Sequence, residues 1–344
     1  MFAVEPDPIS FSATKTQSPG LTGCRICGHR GERVIYFPRE VMFGTGEQFR
    51  YGHCEKCDCL QIETIPADLT RHYPNDYYSM SVGEEDAQLP LWFTLAMKAR
   101  VWSEVRLRLR WNLLRRQMDW RLPKGYEALV DYLQHAGIRK LGVSILDVGC
   151  GANAYRLASL KQMGFSALLG VDPFIGEDLA FKGVAVLKRS IEQVDGAFDL
   201  IMFHHSLEHM VDPAAALSAA ASRLRPGGVC LVRIPVMSSA LWSRYGVDWV
   251  ELDAPRHLHI MGHRTMHFLA KRAGMYIYDG YGDTTAWEFA ASERNRDVRL
   301  AGCGASSVGS KAFGREDFLL YERDAAAVNE AGTSGRACFF LRHA

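Results

Sequence analysis

The sequence has no apolar run long enough to span a membrane, and it has almost no net charge. Its 344 residues include 40 Lys and Arg against 39 Asp and Glu, and no apolar run reaches the roughly 18 residues of a membrane span. The N-terminal residues lack the basic region and apolar core of a secretory signal. Balanced charge argues against a general polyanion-binding surface. We therefore expect a cytoplasmic protein, and a nucleic-acid partner is disfavoured.

Internal repeats and extreme composition are missing as well. The chain is 48% hydrophobic and 23% charged, which excludes full-length disorder, collagen and coiled coil. At roughly 100–200 residues per domain, the length predicts two domains. Residues 1–20, rich in Pro, Ser and Thr, are predicted to be a tail without fixed structure.

Cysteine is odd in number and unevenly distributed. Five of the nine cysteines lie in one short segment near the N-terminus, a distribution that argues against a disulfide framework. Two C-x2-C pairs, Cys24 with Cys27 and Cys54 with Cys57, have the chemistry of a tetrahedral structural zinc site. A redox motif is the alternative, which two pairs in one segment disfavour. We therefore expect a small zinc-ribbon-like module over residues 21–65.

From residue 141 to 344, short apolar strands alternate with helices. The strands include SILDV, ALLGVD, GVAVLK, FDLIMFHH and GVCLVRIP, with helical runs such as YRLASLKQMG between them. This pattern predicts an α/β fold with a doubly wound, mostly parallel sheet. Residues 66–140 are predicted to be a linker with helices at 88–121 and about 125–136. Residues 284–335 are assigned to no element.

A glycine turn follows the first strand of this domain. In the run ILDVGCGANAY, Gly149 and Gly151 permit a tight turn and close ligand approach. Asp147 ends the strand at the edge where open α/β sheets bind ligands. Asp172 ends the next strand 25 residues later, where a carboxylate can accept both ribose hydroxyls. The combination predicts a nucleotide-type site, although Ala154 replaces the third Gly of the dinucleotide fingerprint.

The string DVGCG resembles motif I of the class I S-adenosylmethionine-dependent methyltransferases. GVDPF, FDLIMFHHSLEHMVDP and RLRPGGVCLVRIP resemble later segments of that family. The resemblance covers residues 140–282 and implies S-adenosylmethionine as cofactor, with Gly149 and Gly151 beside its methionine part and Asp172 on its ribose. The third Gly of the family motif is replaced by Asn153, which tolerates left-handed backbone.

Adenine recognition is predicted to depend on the segment after the third strand, KRSIEQ. The family often has an acidic residue there, and this sequence offers a serine hydroxyl or a backbone group instead. With the histidine that ends the fourth strand, the complete set of predicted cofactor residues is Asp147, Gly149, Gly151, Asp172, Ser190, Ile191 and His204.

Histidine is concentrated, because seven of the twelve lie within residues 204–267. His205, Glu208 and His209 follow the fourth strand at a spacing that puts them on one face of a helical turn. These three are the predicted catalytic residues. In one interpretation, His205 is the general base for an acceptor hydroxyl, and Glu208 or His209 orients it.

Two other interpretations of this group remain open. The group can bind a divalent metal together with His257 or His259, as an ExxEH string does in small-RNA 3′-end methyltransferases and ubiquinone-pathway O-methyltransferases. His205 stands in place of the first Glu, and such a ligand set suits a transition metal better than magnesium. Alternatively, the segment only packs against and caps the next helix.

A zinc module ahead of a class I methyltransferase core resembles a bacterial group that includes nucleotide-sugar C-methyltransferases and related glycan-cluster enzymes. CRICG, YPNDYYS and GVDWVELDAPRHLHI carry this resemblance, which implies a sugar, nucleotide-sugar or glycan-terminal acceptor. The predicted acceptor-binding residues are Tyr77, Tyr78, Trp249, Arg256 and His257. Alternative functions are methylation of RNA or of a quinone-type phenol, and a non-catalytic cofactor-binding scaffold.

Overall fold

The computed structural model describes residues 14–16, 23–73, 98–99, 126–237, 239–301 and 313–344. These residues form a five-stranded sheet near the N-terminus and an eight-stranded sheet in the larger domain. The strands are β1 (Thr14–Thr16), β2 (Arg33–Tyr36), β3 (Tyr51–Cys54), β4 (Cys59–Ile62), β5 (Ser144–Val148), β6 (Ala167–Val171), β7 (Leu179–Phe181), β8 (Val184–Leu187), β9 (Phe198–His204), β10 (Leu224–Pro235), β11 (His259–Met261), β12 (Met275–Gly282) and β13 (Arg336–His343).

The α-helices follow the same chain order. They are α1 (Tyr126–His135), α2 (Tyr155–Gln162), α3 (Pro213–Arg223), α4 (Ala240–Tyr245), α5 (His263–Arg272), α6 (Ala286–Ala301) and α7 (Arg315–Glu330). Short 3-10 turns at Thr70–His72, Ile191–Gln193 and Leu207–His209 lie close to the candidate site. The helix predicted at about 125–136 is confirmed by α1.

The large sheet has the order β12-β13-β10-β9-β5-β6-β8-β7. Neighbouring strands run parallel from β10 through β9, β5 and β6 to β8. Strand β13 is inserted antiparallel between β10 and β12, and β7 forms an antiparallel edge. The predicted mostly parallel sheet is confirmed.

Helices cover both faces of this sheet. Successive side chains of a strand point to opposite faces, so each strand contributes apolar residues to both helix layers. On β5, Leu146 packs with helices α3 and α5 in one buried cluster, which includes Leu217 and Leu269. Ile145, one position earlier, packs with helices α1 and α2 in a second cluster, which includes Leu133. The doubly wound architecture follows from these two cores.

The small sheet has the order β1-β2-β3-β4-β11, with antiparallel neighbours throughout. Its last strand comes from the larger domain, because β11 pairs with β4 through His259↔Gln61 and Met261↔Cys59. The module predicted at 21–65 is therefore completed by a distant part of the chain. Strand β1 falls within the segment predicted to lack fixed structure.

A third buried cluster joins the small sheet to the C-terminal helices. It contains Tyr51 and Leu60 from the small sheet together with Trp249 and Phe289. Phe289 of α6 stacks on Tyr321 of α7 with ring centroids 5.9 Å apart. Much of the unassigned 284–335 region thus forms a helix pair that packs beside the N-terminal module.

Two sequence predictions fall outside the described residues. These are Tyr77 with Tyr78 and nearly all of the helix predicted at 88–121, of which only residues 98–99 are described. Across the described part of the chain, none of the helices combines the length and the apolar character needed to cross a bilayer.

Candidate active site and cysteine cluster

A cavity of about 460 Å³ opens at the carboxyl ends of β5, β6 and β9. This is the edge at which open α/β sheets bind their ligands. Of the predicted cofactor residues, the lining includes Gly149, Asp172, Ser190, Ile191 and His204. The glycine turn, the second-strand aspartate and the strand-end histidine thus meet at one cavity.

Gly149 has φ of +73°, in the left-handed region that favours glycine. A Cβ atom at this position would collide with the side chain of Ser206. Ser206 is fixed there because its hydroxyl donates to the carbonyl of Val148 at 2.6 Å. Any side chain at position 149 would therefore displace the segment that follows β9.

Asp172 connects the glycine turn to the next loop. Its Oδ2 accepts the N–H of Gly151 at 3.0 Å, and its Oδ1 accepts the N–H of Phe174 at 2.9 Å. Burial raises the pKa of this carboxyl, and the two backbone donors oppose that shift. The carboxylate is oriented before any ligand arrives, and each oxygen keeps acceptor capacity for a further donor.

Asp147 lies beneath the cavity and does not line it. Its side chain is fully buried, and its Oδ2 accepts Nε–H of Arg156 at 3.2 Å. Arg156, which was not among the predicted site residues, does line the cavity. Asn153 also borders the cavity, but the positive φ angles of this turn belong to Gly149, Gly151 and Ala154, the last with φ of +34°, and not to Asn153. The expected role of Asn153 in the turn is corrected accordingly.

The predicted adenine segment also contributes residues to the cavity lining. Ser190 precedes the 3-10 turn Ile191–Gln193, and the side chain of Gln193 accepts the Ser190 N–H at 3.1 Å. Glu192 in the same turn lines the cavity. Glu192, rather than a residue directly after β8, therefore supplies a carboxylate to this part of the cavity.

His205 occupies a sharp bend after β9, with φ of +52°. Its backbone N–H donates to the carbonyl of Arg233 at 2.9 Å, and its Nδ1 lies 3.1 Å from Oε1 of Glu208. Burial lowers the pKa of His205 well below its usual range, and the positive charge of Arg233 adds to this effect. Neutral His205 therefore borders the cavity with Nδ1 directed at a buried carboxyl.

Glu208, His209 and His257 form a compact group at the cavity, which His209 lines. One potential ligand atom from each lies within 4.8 Å of those of the other two. Nδ1 of His209 donates to the carbonyl of Arg256 at 3.0 Å, and Nδ1 of His257 donates to the carbonyl of Glu251 at 2.6 Å. Each imidazole therefore has its Nε2 lone pair free to act as a ligand.

Further contacts show which neighbouring atoms could also bind a metal ion with these three side chains. Among the described residues, Oε2 of Glu208 is buried without a hydrogen-bond partner. Tyr73 lines the cavity, and its hydroxyl lies 3.1 Å from Nδ1 of His209. His259 belongs to strand β11, where its Nε2 lies 3.4 Å from Nε of Arg25. Of the two histidines considered as further ligands, His257 therefore joins the group.

Two predicted acceptor residues lie elsewhere. Arg256 is 1% exposed, and its guanidinium contacts Asp253, Glu40 at 3.0 Å and the carbonyl of His72 at 3.1 Å. Trp249 is also 1% exposed and packs in the third cluster. Both expectations are therefore corrected, because neither side chain reaches the cavity.

Sulfur atoms of Cys24, Cys27, Cys54 and Cys57 converge at the tip of the small sheet. The Sγ atoms of Cys24 and Cys57 are 3.6 Å apart, and those of Cys27 and Cys54 are 3.7 Å apart. Thiolates about 2.3 Å from a tetrahedral zinc ion would be roughly 3.8 Å from each other, whereas disulfide sulfurs are about 2.05 Å apart. The four sulfurs therefore fit a metal ion and form no disulfide.

Known proteins resemble the region that contains the cavity. A family model described as a methyltransferase domain matches residues 114–279. A ubiquinone biosynthesis O-methyltransferase of Cereibacter sphaeroides is 26% identical over 183 residues, which cover 46% of this chain and 71% of the relative. Together with the fold, these matches show a class I S-adenosylmethionine-dependent methyltransferase domain within the chain.

Two further proteins extend the comparison. The ubiquinone biosynthesis O-methyltransferase of Pseudomonas paraeruginosa is 34% identical over 134 residues, which cover 34% of this chain and 56% of the relative. The crystal structure of a putative sarcosine dimethylglycine methyltransferase from Galdieria sulphuraria has 18% identity and a TM-score of 0.39. That similarity covers 63% of this chain and 84% of the other.

Proposed function

We propose that this enzyme is an O-methyltransferase whose acceptor presents two neighbouring hydroxyl groups, as a sugar, nucleotide-sugar or glycan terminus does. The observation that carries the proposal is the group formed by Glu208, His209 and His257 next to the cofactor-type cavity. In-line methyl transfer needs the acceptor hydroxyl aligned with the methyl donor and relieved of its proton. This group and His205 are suited to those two tasks.

The ligand atoms of the group fit a divalent cation. Two neutral imidazoles and one carboxylate suit a divalent transition metal better than magnesium, and Mn²⁺ is the probe ion used in the tests below. Backbone carbonyls that accept Nδ1–H, here those of Arg256 and Glu251, are a usual feature around metal-binding histidines. A cation bound there would polarise an acceptor hydroxyl and lower its pKa.

His205 is the proposed proton acceptor. With Glu208 ionised, Nδ1–H of His205 donates to its Oε1, and Nε2 then keeps the lone pair that accepts the hydroxyl proton. Glu208 would then have two functions, with Oε1 orienting His205 and Oε2 directed at the cation. This arrangement combines two interpretations that the sequence alone left open.

The proposed cofactor contacts follow the cavity lining. Asp172 would accept the ribose hydroxyls, with Gly149 beside the methionine part. Gly151 is not part of the lining; its N–H donates to Oδ2 of Asp172 and so holds that carboxylate. Arg156 is a candidate partner for the cofactor carboxylate, because a guanidinium binds carboxylates well. Glu192 and Ser190 are candidates for adenine.

The four-cysteine cluster is proposed to hold one structural zinc ion. Four thiolates complete a tetrahedral shell and leave no open position for a substrate. The hydroxyl of Thr265 in α5 donates to the carbonyl of Cys57 at 2.6 Å, and the N–H of Gly262 donates to the carbonyl of Asp58 at 2.8 Å. Zinc would therefore fix a loop that packs directly on the methyltransferase domain.

A quinone-type phenol is the second candidate acceptor. The ubiquinone biosynthesis O-methyltransferases favour it, and so do the apolar residues Leu69, Phe174, Met210 and Val211 in the cavity lining. A catechol offers the same hydroxyl pair as a sugar. The resemblance of the N-terminal module to glycan-cluster enzymes favours the sugar.

The test is methyl transfer from radiolabelled S-adenosylmethionine to nucleotide-sugars and glycan termini, catechol-type phenols and RNA. Each reaction is run with native protein, with chelator-treated protein and with added Mn²⁺. The zinc content is measured after chelation, so that loss of the cysteine-bound metal is not mistaken for loss of the second cation. We expect label in sugars, loss of turnover on chelation and recovery with Mn²⁺.

His209→Ala should abolish the recovery with Mn²⁺, because it removes one ligand of the group. His267→Ala is the matched control, since His267 is exposed on α5. Label found only in phenols or RNA would refute the sugar assignment. Turnover that is indifferent to both the chelator and His209→Ala would refute the metal assignment.

A further inference from the structure

The segment that carries His257 lies between the candidate catalytic turn and the N-terminal sheet. On the side of the turn, its backbone contacts two proposed ligands directly. The carbonyl of Arg256 accepts Nδ1–H of His209 at 3.0 Å, and the N–H of Leu258 donates to the carbonyl of Glu208 at 2.9 Å. A shift of this segment would therefore move His257 and release His209 and Glu208 together.

On its opposite side, the same segment is fastened to strands of the cysteine module. The hydroxyl of Tyr51 in β3 donates to the carbonyl of His257 at 2.8 Å, and Tyr51 is fully buried. The N–H of Ile62 in β4 donates to the carbonyl of Leu258 at 3.0 Å. These contacts fix the position of the His257 backbone relative to the small sheet.

The side chain of Arg256 provides a third attachment to the module. Its guanidinium donates to Oε1 of Glu40 at 3.0 Å and to the carbonyl of His72 at 3.1 Å. Glu40 is itself held by the N–H groups of Phe43 and Thr45, each at 2.9 Å. Arg256 thus joins the loop after β2 to the 3-10 turn just before Tyr73.

We propose that the N-terminal cysteine module is a positioning element of the active site, with Tyr51 and Glu40 as its positioning residues. They hold the Arg256–Leu258 backbone so that His257 and His209 face Glu208. This inference rests on the roles proposed above for these three side chains. It gives the module a function in catalysis in addition to its contribution to folding.

Tyr51→Phe tests the inference, because it removes one hydroxyl and leaves the buried ring. Tyr36→Phe is the matched control. Tyr36 is the direct cross-strand partner of Tyr51, but its ring packs against Trp242 with centroids 5.1 Å apart. Four quantities are measured in each full-length, zinc-loaded variant: the melting temperature, S-adenosylhomocysteine affinity, kcat, and Mn²⁺ affinity by electron paramagnetic resonance.

We expect Tyr51→Phe to lower kcat and weaken Mn²⁺ binding by about tenfold each. This is the lower end of the roughly 10- to 100-fold loss in activity or metal affinity that follows mutation of groups that orient metal ligands. S-adenosylhomocysteine affinity should stay within twofold, and Tyr36→Phe should match the native protein in all four measurements. A lower melting temperature with native kcat and native Mn²⁺ affinity would overturn the inference, because the hydroxyl would then be only structural.

A second variant and the native protein distinguish the two proposals. Glu40→Gln, once its melting temperature shows that it is folded at the assay temperature, should reproduce the fall in kcat through the other attachment. A native kcat in that folded variant would overturn the positioning role given to Glu40. Native protein that binds no Mn²⁺ and ignores chelators would refute the metal proposal. In that event a tenfold lower kcat in Tyr51→Phe would still support positioning of His257 and His209.

Discussion

Asp172 is the side chain on which cofactor affinity should depend most strongly. It is 7% exposed, and backbone N–H groups of Gly151 and Phe174 fix both of its oxygens. Asp172→Ala would remove charge-assisted hydrogen bonds to the ribose hydroxyls, worth about 1.5–3 kcal/mol. Since about 1.4 kcal/mol corresponds to a factor of ten, S-adenosylhomocysteine should bind roughly 10- to 150-fold more weakly.

Isothermal titration calorimetry of the purified variant measures this loss directly. Asp195→Ala is the control, because that carboxylate is exposed and is absent from the cavity lining. The melting temperature and circular dichroism spectrum must first show that Asp172→Ala is folded, since two backbone donors lose their acceptor. An unchanged dissociation constant in the folded variant would remove Asp172 from the ribose site.

Three further predictions concern the metal, the base and the buried ion pairs. Metal analysis should find about one zinc per chain, and Cys54→Ser should lose it and destabilise the fold by more than about 4 kcal/mol; metal-free, fully folded protein would contradict this. His205→Ala should lower turnover by about 10²–10⁴ with S-adenosylhomocysteine affinity unchanged; native turnover would favour a packing role. Burial opposes ionisation of Glu40, but N–H groups of Phe43, Thr45 and Arg256 lower its pKa overall. Its stabilisation is therefore present above its unfolded pKa of about 4.3 and is lost as pH falls through the folded value. Glu40→Gln should cost about 3–5 kcal/mol at pH 7 and flatten the acid limb of urea-unfolding stability; an unchanged acid limb would contradict this.

Local patterns were enough to predict the large sheet and the cofactor edge. A strand ending in Asp147, a glycine turn and a second strand ending in Asp172 bring their polar groups together in any parallel sheet. Short apolar runs that alternate with helical segments likewise predicted strands β5, β6, β8, β9 and β10. The cysteine pairs likewise predicted a cluster, because residue type and spacing limit what four thiols can do.

Tertiary structure alone decided which distant residues meet. His257 and Arg256 are adjacent in the chain, yet one turns towards Glu208 and the other towards Glu40. The sequence assigned both to the acceptor, because it reveals residue chemistry but not the direction of a side chain in an irregular segment.

The pairing of β11 with β4 joins parts of the chain about 200 residues apart, and it also depends on the whole fold. Long-range strand pairing leaves no local signal, since a short apolar strand can add to either sheet. The sequence by itself therefore determined the cofactor edge and the cysteine cluster. Only the folded chain determined that the cysteine module reaches the histidines, because contacts from three separate segments fix that arrangement.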